Sequence, residues 1–241
     1  MTASPIFRIV TLIVFSLCLV GCGKTEAYRY KLTLAVNTPD GVKRASSVSE
    51  VSYYAVSIPA RGTMHTLRGE ALYLDLGLGA RPLIVLLTNQ LHPNYGKEAR
   101  WSRDAGPHNN LLSELYDVKL SDGLMDYAAQ MAHQRGARRI APDDLPDLVT
   151  FVDINDPSSV LEVDPNNLAE TLGPNVSWDQ ITLEIVDEPL TKAIEQKLKW
   201  LPLHFQKNLT LDGSTSTYKR ELANTLKWSD FELSPDLKRK N

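Results

Sequence analysis

The densest set of groups able to do chemistry lies between residues 138 and 164. Asp153, Asn155 and Asp156, with Glu162 and Asp164 further on, place oxygen ligands at close intervals. Oxygen is the donor that Ca²⁺ prefers. The EF-hand pattern is not met, because Pro157 stands at its fifth position, Ser158 replaces the glycine and Asp164 replaces the closing glutamate. The same residue types suit an Asn-Asp-Pro turn followed by a helix N-cap. Asp143, Asp144 and Asp147 follow Arg138-Arg139. With Asp153 they are the acids that a glycan hydrolase would pair, at separations of about 5 Å or about 6.5–9.5 Å. Carboxylates among prolines in a loop are otherwise simply solvated.

The remaining chemistry is scattered. His65, His92, His108, His133 and His204 form no His-x-x-x-His or His-Glu-x-x-His pattern, and no Gly-x-Ser-x-Gly occurs. A zinc site from His92, His108 and a remote carboxylate stays open beside the reading of surface histidines. His92, Tyr95 and Trp101 fall in one long segment and are a possible binding loop for a sugar or a partner. Trp101 alternatively plugs the core. No pattern calls for a cofactor.

The first residues read as a leader. Arg8 is followed by an uncharged apolar run from Ile9 to Val20. That run is shorter than the roughly 20 residues needed to span a bilayer as a helix. Gly21-Cys22-Gly23-Lys24 ends it. Leu19-Val20-Gly21-Cys22 resembles a lipobox, and the chain is thereby similar to a bacterial lipoprotein precursor. The resemblance implies cleavage before Cys22, acylation of its thiol and a lasting tether, since several acyl chains anchor where one does not. Gly23 after the cysteine, in place of aspartate, implies the outer membrane, facing the periplasm. The rival is ordinary secretion with cleavage after Thr25-Glu26-Ala27. Gly23-Lys24-Thr25 is not a P-loop, because position 18 is Cys18 and no strand precedes it.

Composition sets further bounds. The formal charge is −3, and −4 once Arg8 leaves with the leader, which gives no electrostatic footprint for nucleic acid. Of the two cysteines, Cys18 leaves with the leader and Cys22 is acylated, so no disulfide is expected. The expected organisation is a signal peptide over 1–21, a short tether over 22–27 and one domain over 28–241.

Residue periodicity supplies the elements that would position these groups. Tyr28, Tyr30, Leu32, Leu34 and Val36 alternate with polar or small residues, which predicts a half-buried strand. Thr38-Pro39-Asp40-Gly41 predicts a turn. Strands follow at 47–57 and 66–76. Leu83-Ile84-Val85-Leu86-Leu87 predicts a strand buried on both faces. Short connections favour an antiparallel meander. Residues 89–110 read as a long loop, with a short helical piece at 95–101. Helices are predicted near 110–116, over 122–135 with Leu124, Tyr127, Ala128 and Met131 on one face, from Asp164 to Gly173, and from Pro189 to Trp200. Further strands are predicted at 148–152, 178–186 and 205–211. The fold class is α+β: an antiparallel sheet from the N-terminal half, with helices from the C-terminal half packed on it.

Two blocks carry a second resemblance: Gly69-Glu70-Ala71-Leu72-Tyr73-Leu74-Asp75-Leu76-Gly77, and the run from Phe151-Val152-Asp153-Ile154-Asn155-Asp156-Pro157 through Glu184-Ile185-Val186-Asp187-Glu188-Pro189 to Trp200-Leu201. They resemble an uncharacterised proteobacterial family, some of whose members have lipoprotein leaders. That implies one folded unit and carries no site across. The expected function is a membrane-anchored periplasmic lipoprotein, non-catalytic, binding an envelope protein partner or a ligand. The alternative is a periplasmic hydrolase using the acids near 143–156.

Overall fold

The computed structural model describes residues 25–55, 62–89, 91, 100–102, 106–107, 109–120 and 123–233. The fold is α+β, built on two antiparallel sheets. The first is a six-stranded sheet. It contains β1 (Thr25–Thr38), β2 (Gly41–Ala55), β3 (Thr63–Glu70), β8 (Arg138–Arg139), β11 (Ser177–Val186) and β12 (Glu232–Leu233), in the order β12-β3-β2-β1-β11-β8. The second contains β4 (Leu72–Leu74), β5 (Leu83–Val85), β9 (Leu148–Phe151) and β10 (Val160–Glu162), in the order β10-β9-β5-β4. A two-residue ladder joins β6 (Trp101–Ser102) to β7 (Gly106–Pro107).

Local chemistry explains the first hairpin. The turn Pro39-Asp40 sets Thr38 opposite Gly41, and the Thr38 hydroxyl donates to the Gly41 carbonyl at 2.7 Å. The alternating residues Tyr28, Tyr30, Leu32, Leu34 and Val36 are all buried. On the other side β1 pairs with β11, so a strand from the C-terminal half is inserted between β1 and the edge strand β8.

The predicted strand over 66–76 is two strands in two sheets. At Ala71 the backbone leaves β2 and its N–H donates instead to the Phe231 carbonyl at 2.8 Å. Just before this step Gly69 lies against β2, where a Cβ would come within 2.1 Å of the Ser49 hydroxyl. No other residue allows that approach without displacing the strand.

In the second sheet β5 is buried on both faces, as its apolar run predicts. Leu83, Val85 and Leu87 face one core with β1, while Ile84 and Leu86 face another. Helices α1 (Asn109–Tyr116) and α2 (Leu124–Ala132) supply Leu111, Leu112, Tyr127, Ala128 and Met131 to the first core. Helix α3 (Leu168–Leu172) adds Leu168 and Leu172. The second core takes Ile194 from α4 (Ile194–Lys197), Leu201 from α5 (Leu201–Lys207) and Ala223 from α6 (Leu222–Thr225). Phe231 fills its centre, edge-on to Trp200 at 5.4 Å. No described helix is long and apolar enough to cross a membrane.

Three predicted elements differ. Residues 189–193 are not helical, because Thr191 binds the backbone of β2 beyond its pairing with β3: Val48 donates to the Thr191 hydroxyl at 2.8 Å and accepts from the Thr191 N–H at 3.2 Å. Residues 205–207 belong to α5 rather than to a strand. Pro202 sits in its first turn, where a missing N–H costs nothing. Of the predicted strand only the bridge Thr210–Lys227 remains. Asp164 does not cap α3; it closes a turn by accepting from Asn166 N–H at 2.8 Å, and the helix begins at Leu168.

Two-sided burial gives a direct test. Leu83→Ala and Ile84→Ala point to opposite cores, and each is expected to cost about 2–5 kcal/mol in urea unfolding. A loss confined to one of the pair would mean that one face of β5 is solvated.

Candidate functional site

The acids singled out by sequence are dispersed among structural tasks. Asp143 accepts from the Asn166 amide at 2.5 Å. Asp144 binds Arg100 at 2.6 Å, and its main-chain carbonyl accepts from the Trp101 indole. Asp147 is buried and accepts from the Leu91 N–H at 2.8 Å. Asp153 accepts from the backbone and side-chain amides of Asn155, at 2.9 and 3.2 Å. Asp156 accepts from the backbone and hydroxyl of Ser158, at 3.0 and 2.6 Å. These are the turn and cap roles that compete with catalysis or Ca²⁺ binding. Among the described residues, no three His, Cys, Asp or Glu side chains gather where they could hold a metal ion.

Trp101 is 4% exposed and packs edge-on against Tyr30, with ring centroids 5.9 Å apart. Its ring faces the core and is closed to a ligand. His92 and Tyr95, like Cys22, lie outside the described residues.

The register of the first sheet brings together a different pair of acids. β12 pairs antiparallel with β3, setting Glu232 directly opposite Glu70. Residues so placed point to the same face with Cβ atoms about 4.5–5.5 Å apart, and like charges there repel. Glu70 is buried, and its carboxylate accepts from the Ala193 N–H at 2.7 and 2.8 Å and from the Ile194 N–H at 3.0 Å. It thereby satisfies donors at the start of α4 that would otherwise lack partners. Burial pushes the Glu70 carboxyl up, and those two N–H groups oppose the shift.

Glu232 has no such donors. Its Oε2 is buried without a hydrogen-bond partner among the described residues. Burial, then the nearby Glu195 and Glu70, push its carboxyl up to about 7, against an opposing effect of Lys192. A carboxyl that titrates near neutrality beside a second acid is the arrangement from which acid–base sites are built. Neither acid is flagged by local sequence, because they are 162 positions apart and only strand register joins them.

A second polar hub closes the C-terminal core. Asn224 is fully buried; it accepts from the N–H groups of Tyr218 and Lys219 at 2.9 and 2.8 Å and donates to the Ser216 carbonyl at 3.0 Å. Asp212 accepts from the Thr210 hydroxyl at 2.6 Å and from Lys219 at 2.9 Å. The Thr210 hydroxyl in particular holds the Asp212 carboxyl well below its usual range. This network fixes the loop 212–220; every member satisfies another.

No protein-family model, curated protein or solved structure matches the chain.

Glu70 is a positioning group for α4, and this can be measured. Glu70→Ala leaves the N–H groups of Ala193 and Ile194 without their acceptor, for an expected loss of about 1–3 kcal/mol. Glu70→Gln keeps one acceptor oxygen and should recover part of it. Equal stability of Glu70→Ala and wild type in urea unfolding would show that α4 does not depend on this cap.

Proposed function

We propose that the chain is a membrane-anchored periplasmic lipoprotein, acylated at Cys22, whose body is a non-catalytic module binding an envelope partner or ligand. The observation that carries the anchor is Leu19-Val20-Gly21-Cys22 placed only three residues before the first strand. β1 begins at Thr25, so the fold takes up much of the expected tether. Thr25, Glu26 and Ala27 pair with Tyr54, Tyr53 and Ser52. Cleavage after Ala27, the rival site, would remove three paired residues from a central strand. Cleavage before Cys22 leaves the sheet whole.

Electrostatics at that end of the sheet favour an acyl anchor over headgroup attraction. Arg29 binds Glu50 at 2.8 Å, Lys31 binds Glu188 at 2.5 Å and Arg135 binds Asp187 at 2.6 Å. Each of these three described cations has an acidic partner, so no polybasic patch forms from them. For the body, the carboxylates near 143–156 are held in turns and ion pairs, which weighs against the hydrolase reading.

Mass spectrometry of the membrane-extracted protein tests the anchor. A mature chain beginning at an acylated Cys22 is expected, and Cys22→Ser should abolish acylation. An unmodified N-terminus at or beyond Tyr28 would overturn the reading.

A further inference from the structure

We propose that β12 is a pH-released latch: Glu232–Leu233 docks on the end of β3 more tightly while Glu232, set opposite the buried carboxylate of Glu70, carries a proton. The geometry supplies both halves of the device. Glu70 cannot retreat, because its oxygens hold the start of α4 at 2.7–3.0 Å. Glu232 has a buried oxygen with no donor among the described residues to stabilise its ionised form. Docked and ionised, it would place two like charges side by side in a site largely shielded from water, where their repulsion is strong.

The neighbouring charges do not relieve this. On β3, Arg68 is engaged with Glu50 at 3.4 Å. From α4, Glu195 adds a third negative charge, and Lys192 in the segment before it opposes that effect only in part. On the turn before β12, Asp230 is buried and accepts from the Lys227 N–H at 2.7 Å.

The hinge is defined as well. Phe231 is fully buried and its carbonyl holds the Ala71 N–H at 2.8 Å, so the chain stays fixed up to that residue. β12 is two residues long and pairs with β3 only at Glu70 and Gly69. Little has to break for it to leave.

The sign follows from where the proton is held. Undocked, Glu232 ionises in the ordinary carboxyl range; docked, its carboxyl is pushed up to about 7. Between those values the docked strand binds a proton that the free strand gives up. Docking is therefore strongest below the ordinary carboxyl range, weakens steadily as pH rises from there to about 7, and levels off above that. Release exposes the backbone edge of β3 at Gly69 and Glu70, a surface to which another extended segment could pair.

The test follows Leu233 by NMR in the full-length protein between pH 5.5 and 8.5, with exchange rates corrected for intrinsic pH dependence. In wild type, protection of the Leu233 amide is expected to fall by about tenfold or more between pH 5.5 and neutrality and then to level off. Glu232→Gln should stay docked throughout, and Glu195→Gln should move the pH at which protection levels off downwards. The second variant keeps the test decisive if the first does not fold. Protection that does not change with pH in wild type would overturn the latch. So would a levelling-off pH that Glu195→Gln leaves in place.

Discussion

Burial of the Leu83–Leu87 run on both faces is the constraint on which the rest of the structure depends. One row of its side chains packs against the tyrosine-lined face of β1, and the other packs against Phe151 and Phe231. The C-terminal segments that carry α4, α5 and α6 bury their apolar side chains largely against this small sheet. Without it they would expose those side chains to water, at roughly 1.5–3 kcal/mol each. The first and last described strands are tied into the same sheet: Glu232–Leu233 closes against β3, and β1 lies between β2 and β11.

The same arrangement decides where polar groups can sit. Between the large sheet and the C-terminal core the backbone must change sheets at Ala71, and the buried Glu70 stands at that step. Its carboxylate satisfies two N–H groups that the fold leaves open, which is how a buried charge is tolerated. Glu232 arrives at the same place by register alone, and its buried Oε2 finds no donor among the described residues. A strained electrostatic contact thus lies at a weak edge of the sheet, while the acids of the 143–164 region sit in turns whose geometry requires them.

Some of this was readable in the residues. Strict alternation in β1 predicts its buried face, the uninterrupted apolar run predicts two-sided burial, and the i, i+3, i+4, i+7 spacing predicts the Tyr127, Ala128 and Met131 face of α2. What periodicity does not carry is pairing between distant segments. The place of β11 beside β1 and the meeting of Glu70 with Glu232 depend on tertiary register. Local preference also gives way where tertiary hydrogen bonds compete. Residues 189–193 have a helix-like apolar pattern, yet Thr191 exchanges two hydrogen bonds with Val48 and holds the chain extended.

If Cys22 carries the proposed anchor, two residues separate it from a strand of 14 residues, which rises about 45 Å from end to end. The Thr25 end of the sheet then lies against the bilayer, with Tyr54 beside it in register. The most direct test places a fluorophore at Tyr54→Cys, and separately at Val42→Cys near the opposite end of the hairpin, in the acylated protein held in vesicles with a lipid-attached quencher. The account predicts strong quenching at position 54 and weak quenching at position 42. Equal quenching at both positions, or none at 54, would contradict it.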